Sequence, residues 1–348
     1  MISLNMQLSD NQWKRELAQA FKQPHELLEY LQIDSHLESK IAGKPLLEKN
    51  SFPMLVPKHF ADLMSKGNID DPLLLQVLPF SQELVEKDGF VLQPLDEQDN
   101  FIPVKNVVHK YQDRLLFLPK GGCAVNCRYC FRRNFPYHDL ASSREEWQKS
   151  LDYAYSQEIS ELILSGGDPL MMTDKEFFWL AEELIKRNQE AKVKIDRLRI
   201  HSRLPIVLPN RITEGFVQIC QFLAQAKIRV IWVSHINHPS EISELLQEKL
   251  ASLAQAGVLL LNQSVLLKGV NNSVEVLAQL SHKLFQAGIL PYYLHLLDKV
   301  TGASHFYVSD EEALALYREL QEQTSGYLIP KLAREEVGKK NKTLYTTV

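Results

Sequence analysis

The sequence has few cysteines, no long apolar run and no excess of positive charge. Four cysteines in 348 residues are too few to hold a fold of this size together with disulfides. No apolar stretch approaches the length of a membrane-spanning helix, and Met1–Phe21 lacks the continuous apolar segment of a secretory signal. Lys plus Arg number 39 against 43 Asp plus Glu, so the net charge of −4 provides no general attraction to polyanions. We therefore expect a cytoplasmic protein whose main partner is neither nucleic acid nor a membrane.

The hydrophobic pattern changes near residue 107. Hydrophobic residues make up 45% of the chain and charged residues 24%, which is ordinary for a globular protein. Before the change, short helical patterns are interrupted by prolines; after it, short apolar runs alternate with longer amphipathic helices about every 30 residues. We expect two parts, an N-terminal helical region with a connector at 1–107 and a repeating part at 108–348.

The repeating part predicts six strand–helix units and therefore an α/β fold. Several predicted strands are apolar through most of their length, as in a parallel sheet covered on both faces. Six units predict a partial, open (β/α)6 barrel of TIM type, with a doubly wound open sheet as the alternative. In both, functional residues lie at the carboxyl ends of the strands. The predicted strands are Arg114–Leu118, Glu161–Ser165, Arg197–His201, Ile228–Ser234, Val258–Gln263 and Leu290–His295.

Three of the four cysteines fall within eight positions, directly after the first of these strands. Gly121–Arg133 reads GGCAVNCRYCFRR and places Cys123, Cys127 and Cys130 in a C-x3-C-x2-C pattern. Three thiolates can bind three irons of a 4Fe-4S cluster and leave the fourth iron open. Structural zinc normally takes four protein ligands. The pattern favours an iron–sulfur cluster, with a three-cysteine zinc site or a metal-free group of cysteines as alternatives.

A second pattern, Ser165–Pro169 (SGGDP), follows the second predicted strand. Glycines there let a ligand approach the backbone closely. The cysteine pattern, with Tyr129 before its last cysteine and this stretch after the next strand, resembles the radical S-adenosylmethionine superfamily. The resemblance implies that the open iron binds S-adenosyl-L-methionine. An electron from the reduced cluster, supplied by a cellular one-electron reductant, then produces a 5′-deoxyadenosyl radical.

Eight ordered stretches between His109 and Thr343 are similar to the lysine 2,3-aminomutase family. They read HKYQDR, CRYCFRRNF, SGGDPL, RIHSRLP, SHINHPSEI, NQSVLLKGVN, PYYLHLLD and IPKLAREEVGKKNKT. The resemblance implies an isomerase that converts L-α-lysine to (R)-β-lysine with pyridoxal 5′-phosphate as a further cofactor. The radical breaks an unactivated C–H bond and the imine carries the migrating nitrogen, chemistry that no side chain provides.

The resemblance also implies roles for individual residues. Lys342 matches the lysine that holds pyridoxal phosphate as a Schiff base. The family usually has a glycine-rich run before this lysine, whereas this chain has Gly338-Lys339-Lys340-Asn341, so Lys339 and Lys340 compete for the role.

The two ends of the substrate have matches of opposite charge. Arg132 matches the arginine that receives the substrate carboxylate, for which a guanidinium fork is well suited. Asp298 matches a carboxylate that receives the distal ammonium of lysine. Glu335 aligns with a second carboxylate, which is Asp in the catabolic members. The remaining matches are Arg114 and Tyr111 as contacts of pyridoxal phosphate, and Gly166, Gly167, Asp168, His235 and Gln263 as contacts of S-adenosyl-L-methionine.

The family has two branches. Catabolic members ferment free lysine and carry a longer C-terminal extension, whereas the other branch makes (R)-β-lysine that a partner ligase attaches to elongation factor P. The end of the chain soon after Lys342, the KLARE stretch and Glu335 resemble the elongation-factor branch, which we favour over the catabolic one. A radical enzyme without pyridoxal phosphate and an iron–sulfur electron carrier or redox sensor are further alternatives. The first commonly has extra cluster cysteines or an RNA-binding module, and the second does not need SGGDP.

Overall fold

The computed structural model describes residues 11–33, 46–47, 52–96, 101–135 and 143–346. Within them, nine strands form one sheet in the order of the sequence. The strands are β1 (Val107–Val108), β2 (Arg114–Lys120), β3 (Glu161–Gly166), β4 (Arg197–Ser202), β5 (Arg229–His235), β6 (Leu259–Val265), β7 (Leu290–His295), β8 (Lys331–Arg334) and β9 (Thr343–Leu344). The helices are α1 (Gln12–Ala18), α2 (Pro24–Tyr30), α3 (Lys58–Asp62), α4 (Pro72–Leu75), α5 (Arg144–Ser156), α6 (Asp174–Glu190), α7 (Leu204–Val207), α8 (Glu214–Gln225), α9 (Glu244–Gln255), α10 (Val274–Gln286) and α11 (Asp310–Gln323).

The strand order identifies the architecture. Strands β2 to β8 are parallel, and each pairs with the next strand along the chain. β1 and β9 are antiparallel additions at the two edges. A doubly wound sheet reverses its strand order at a switch point, whereas this order never reverses. The predicted α/β partial barrel with six strand–helix units is therefore confirmed, and the edges at β1 and β9 leave the sheet open in the described part of the chain.

The six long helices between the parallel strands all begin in the same way. A Ser or Thr side chain at the N-cap accepts a hydrogen bond from the backbone N–H three residues later, which satisfies one of the free donors of the first turn. Thr173 and Glu176 form a complete capping box at the start of α6. The N-cap residues are Ser143, Thr173, Thr213, Ser243, Ser273 and Ser309.

The side chains of strand β4 alternate between the apolar core and a polar face that lines the barrel interior. Leu198 and Ile200 are fully buried in the core, whereas Arg199 and His201 alternate with them and line an interior cavity. The Arg199 guanidinium donates two hydrogen bonds, of 2.9 and 2.6 Å, to the carboxylate of Glu161 at the start of β3. The barrel interior is therefore polar enough to hold charged ligands.

The N-terminal helices pack onto the barrel and contribute to one hydrophobic core with it. Trp13 of α1, Leu27 of α2 and Phe60 of α3 are buried in this core together with the strand residues. None of the helices in the described ranges is both long and apolar enough to cross a membrane.

Candidate active site

A cavity of about 830 Å³ extends from the carboxyl ends of the parallel strands into the barrel. Although they come from distant parts of the chain, all the site residues expected from the sequence line this cavity. They are Tyr111, Arg114, Cys123, Cys127, Cys130, Arg132, Gly166, Gly167, Asp168, His235, Gln263, Asp298, Glu335 and Lys342.

The loop that carries the cysteines follows β2 and is attached to the N-terminal helical region. Arg128, between the second and third cysteines, is fully buried and donates two hydrogen bonds, of 2.7 and 2.6 Å, to Glu83. Its backbone N–H donates to the carbonyl of Gln76 at 2.8 Å. Because the loop is anchored on both side chain and backbone, the three thiols are held at one end of the cavity.

The environment of the thiols disfavours their negatively charged thiolate form unless a positive charge is nearby. Burial first, and then the charge of neighbouring cysteines, raise the pKa of Cys123 well above its usual value and that of Cys130 to about 11. Bound iron would supply positive charge here and would take the place of the thiol protons. In the described residues no group of three or more His, Cys, Asp or Glu side chains is arranged around a single ion. Three sulfur donors at one cavity end fit a cluster, in which each cysteine binds a different iron.

The Gly-Gly pair at the end of β3 lies against the cysteine loop. A Cβ atom on Gly167 would lie 2.5 Å from the carbonyl oxygens of both Gly121 and Gly122. Gly166 has φ +121°, and a Cβ there would lie 2.6 Å from the carbonyl oxygen of Lys120. We expected these glycines to admit a ligand; the structure shows that they also admit the backbone of the loop that leads into Cys123.

We predict that Gly167→Ala displaces this loop and lowers the iron content of the anaerobically purified protein by at least about half. The reason is that a Cβ–oxygen distance of 2.5 Å is far inside van der Waals contact, so that the loop must move. Iron per chain and the thermal midpoint are the measurements. Gly326→Ala is the matched control, since a Cβ there meets no atom within 4 Å. Full iron content in Gly167→Ala contradicts the prediction.

Asp168 serves to brace the end of β3. Its two carboxylate oxygens accept hydrogen bonds from the Ser202 hydroxyl at 2.8 Å and from the backbone N–H groups of Leu170, Arg203 and Leu204, each at 2.9 Å. Burial raises the pKa of Asp168, and these hydrogen bonds offset the rise only in part. With its oxygens engaged in this way, a direct contact to S-adenosyl-L-methionine stays a prediction.

Two other residues expected near S-adenosyl-L-methionine are neighbours across β5 and β6. His235 and Gln263 are register partners at the strand ends. The His235 ring stacks on Tyr129 with centroids 5.7 Å apart, and its Nε2 lies 2.9 Å from the Tyr129 hydroxyl. Burial and the nearby Arg203 lower the pKa of His235 well below its usual value, so the imidazole is neutral.

Glu335 interacts with two lysine side chains and a tyrosine hydroxyl at another part of the cavity wall. It accepts a hydrogen bond from Lys342 Nζ at 2.7 Å, pairs with Lys110, and accepts a hydrogen bond from the Tyr111 hydroxyl at 3.1 Å. Burial by itself would raise the pKa of Glu335, but Lys342 and Lys110 hold it below its usual value. The Arg114 guanidinium lies 4.0 Å from the centre of the Tyr111 ring. Lys110 is an unpredicted member of this group, although it belongs to the HKYQDR stretch.

The three candidate lysines of the C-terminal segment differ in position. Lys342 lines the cavity, whereas Lys339 and Lys340 are exposed and do not line it. Lys339 instead pairs with Glu336 at 3.2 Å on the outside. Within this described segment, the geometry favours Lys342 as the residue that reaches a ligand in the barrel.

At the cluster end, Arg132 extends into the cavity from the turn after Cys130. Its guanidinium is largely buried and donates to the Ser165 hydroxyl at 3.2 Å. His201 and His295 also line the cavity, a position that the sequence analysis missed. Burial lowers the pKa of both histidines. His201 lies two positions after Arg199 and therefore on the same inward face of β4, and this period of two was the available signal.

An open parallel barrel whose first parallel strand leads into C-x3-C-x2-C, packed against a Gly-Gly-Asp turn, defines a radical S-adenosylmethionine enzyme. The family model described as the Radical SAM superfamily matches residues 118–273. Such enzymes use a 4Fe-4S cluster and S-adenosyl-L-methionine. This membership implies a 4Fe-4S cluster and therefore favours the cluster interpretation of the cysteines over zinc or a metal-free group.

Comparison with curated proteins narrows the class. The chain is 50% identical to the L-lysine 2,3-aminomutase of Haemophilus influenzae, covering 97% of this chain and 96% of that protein. It is also 50% identical to that of Escherichia coli, covering 96% and 94%. Identity to that of Clostridium subterminale is 32%, covering 96% of this chain and 77% of that protein. The chain belongs to the L-lysine 2,3-aminomutase family and is an isomerase.

Proposed function

We propose that this isomerase uses pyridoxal 5′-phosphate as well as S-adenosyl-L-methionine to convert L-α-lysine into (R)-β-lysine, and that the product modifies elongation factor P. The observation that supports it is a single cavity lined by three cysteines, a lysine, an arginine and an aspartate. When bound, the cluster with S-adenosyl-L-methionine supplies a carbon radical, and pyridoxal phosphate supplies the imine that carries the migrating nitrogen.

The Lys342 end of the cavity suits an anionic cofactor that binds an amine. Glu335 holds the Lys342 amine at the cavity wall, 2.7 Å from its carboxylate. Arg114 and Lys110 add positive charge beside Tyr111, and a phosphate group is attracted by such a cluster of cationic donors. We propose that Lys342 holds pyridoxal phosphate through Nζ and that Arg114 and Tyr111 contact it.

The substrate is proposed to be gripped at both charged ends. Arg132, next to the cysteine loop, receives the carboxylate with a guanidinium fork. Asp298, which follows β7, receives the distal ammonium. Glu335 is already engaged by Lys342, Lys110 and Tyr111, so the structure supports a role at the cofactor end in place of a second ammonium contact. Fixing both ends of lysine holds its Cβ in one place, which proximity catalysis requires.

We predict that Asp298→Asn raises the KM for lysine by about tenfold to a hundredfold with a smaller change in kcat. A hydrogen bond to a charged group contributes roughly 1.5–3 kcal/mol, and about 1.4 kcal/mol is a factor of ten. Initial rates of β-lysine formation over a range of lysine concentrations measure this. Asp152→Asn, on the exposed face of α5, is the matched control. An unchanged KM in Asp298→Asn removes this residue from the substrate site.

The elongation-factor branch is the finer part of the proposal. Glu335 stands where the catabolic members have Asp. Together with the resemblance of the KLARE stretch, this observation supports a supply of (R)-β-lysine to the ligase that acts on elongation factor P. We accordingly propose that the enzyme works in the cytoplasm with a cellular one-electron reductant.

Anaerobic purification with assays of iron, sulfide and pyridoxal phosphate tests the first part of the proposal. Incubation with L-lysine, S-adenosyl-L-methionine and a reductant is expected to produce (R)-β-lysine. A preparation with full iron content that contains no pyridoxal phosphate and forms no β-lysine supports a radical enzyme of another type.

Mass spectrometry of elongation factor P tests the second part. In cells from which the gene is deleted, the factor is expected to lack the added mass of β-lysine. A factor that is still fully modified in these cells supports the catabolic branch and leaves the isomerase activity itself in place.

A further inference from the structure

A buried arginine that has no assigned role lies against one of the cluster cysteines. Arg203 directly follows β4, and only 6% of its side chain is exposed. Its Nη1 donates a hydrogen bond to Cys127 Sγ at 2.8 Å and another to the Tyr129 hydroxyl at 2.6 Å. Arg203 and Cys127 are 76 positions apart, so the contact between the guanidinium and the sulfur exists only in the folded protein.

The second terminal nitrogen of the Arg203 guanidinium, Nη2, fixes the orientation of the side chain. Nη2 donates to Glu241 Oε2 at 2.9 Å and to Gln76 Oε1 at 2.7 Å. The Glu241 side chain is fully buried, and its other oxygen accepts the backbone N–H groups of Asn237 at 3.0 Å and His238 at 3.1 Å. Rotating Arg203 away from the sulfur would leave a buried carboxylate unpaired, which is strongly unfavourable.

A hydrogen bond from a cation to a cluster ligand acts unequally on the two oxidation states of the cluster. One-electron reduction adds one negative charge to the cluster and its thiolates, and no proton or group is transferred. Hydrogen bonds to the sulfurs are among the factors that set the reduction potential. A charged donor is stronger than a neutral one, and more so in a buried site. The arrangement therefore stabilises the reduced cluster more than the oxidised cluster.

We propose that Arg203 is a positioning residue that raises the reduction potential of the cluster through Cys127, and that Glu241 limits the rise. The carboxylate of Glu241 accepts a hydrogen bond from Nη2, while Nη1 donates to the sulfur, and its negative charge moderates that of the guanidinium. The inference rests on the radical enzyme class and is independent of pyridoxal phosphate and lysine.

Two substitutions in this ion pair are expected to shift the potential in opposite directions. Arg203→Gln removes the cation and lowers the equilibrium constant for one-electron reduction about tenfold, which is 59 mV for a one-electron couple. Glu241→Gln leaves the cation without its counter-charge and raises the same constant. The measurement is a potentiometric titration of the anaerobically purified enzyme, followed by the electron paramagnetic resonance of the reduced cluster, without added lysine.

Arg211→Gln is the matched control. Arg211 is also fully buried, lies on the same segment and pairs with Asp174 at 2.9 Å. It donates to the carbonyls of Leu170 and Met172 and does not line the cavity. This variant is expected to lose thermal stability while the potential of its cluster stays unchanged.

Arg203→Lys keeps the charge and loses the fork, so an intermediate shift is expected. A reduction potential that is lowered in Arg203→Gln and raised in Glu241→Gln supports the proposal. Potentials that shift in the same direction in both variants overturn it. Unchanged potentials in both Arg203 variants at full iron content also overturn it. If Arg203→Gln loses its iron, Arg203→Lys and Glu241→Gln become the test. Unchanged reduction potentials in these two variants then show that the arginine has only a structural role.

Discussion

Replacing Lys342 with alanine is expected to remove bound pyridoxal phosphate from the enzyme and to lower β-lysine formation at least about a thousandfold, roughly 4 kcal/mol of barrier. Lys342 is the lysine of its segment that lines the cavity, and its Nζ is held beside Glu335. Without that amine no covalent link to the cofactor forms, and only ionic contacts with Arg114 and Lys110 are left. Cofactor content after gel filtration, with and without borohydride treatment, measures the loss.

Two further results sharpen this test. Lys340→Ala, an exposed lysine two positions earlier, is expected to retain the cofactor and the activity. The iron content of Lys342→Ala is expected to match that of the parent, because the cysteines lie on a different loop. Covalently retained pyridoxal phosphate in Lys342→Ala assigns the cofactor to another lysine, of which Lys339 and Lys340 are the candidates.

Replacing Cys127 with alanine is expected to remove the cluster iron and with it all formation of 5′-deoxyadenosine. In the proposed site three thiolates bind the cluster, and with one of them absent two sulfurs would remain to hold it. Cys127 also accepts the hydrogen bond from Arg203, so its loss changes the contacts of a buried cation. Iron and sulfide per chain and the resonance signal after reduction are the measurements.

Cys220→Ala is the matched control for the thiolate. Cys220 is buried in α8, where burial raises its pKa to about 12, and it does not line the cavity. This variant is expected to retain full iron content. In Cys127→Ala the pyridoxal phosphate content is expected to be unchanged, which separates loss of the cluster from general unfolding. Full iron content in Cys127→Ala contradicts the assignment of this thiolate.

The barrel strands were predictable to within one or two residues because each is short and rich in apolar residues, which are continuous in β3 and alternate with polar residues in β4. The observed β3, for example, is Glu161–Gly166 where Glu161–Ser165 was predicted. The helices between the strands were predictable from their period and their Ser or Thr caps. β8 was missed because it is only four residues long and carries a charge at each end, Lys331 and Arg334. Such a segment has no apolar run, and its pairing with β7 decides its conformation.

Local spacing made the cysteine cluster recognisable, since three thiols within one loop are neighbours in any fold. The same local reasoning predicted a ligand beside Gly167, but it did not predict that the loop of Gly121 and Gly122 also packs against this glycine. Asp168, Glu335 and Arg203 illustrate the same limit. The sequence predicted ligand contacts for Asp168 and Glu335 and no role for Arg203, whereas most of their observed partners come from distant parts of the chain.

Fold class, cofactor chemistry and family could therefore be inferred from order and spacing along the chain, because they depend on contacts between near neighbours and on hydrophobic periodicity. The tertiary structure decided which lysine of the C-terminal segment lines the cavity, which groups donate to the carboxylate of Glu335 and which cation contacts Cys127. The contacts of Cys127 and Glu335 join residues that are 76 and 224 positions apart, and a local sequence pattern carries no information about such contacts.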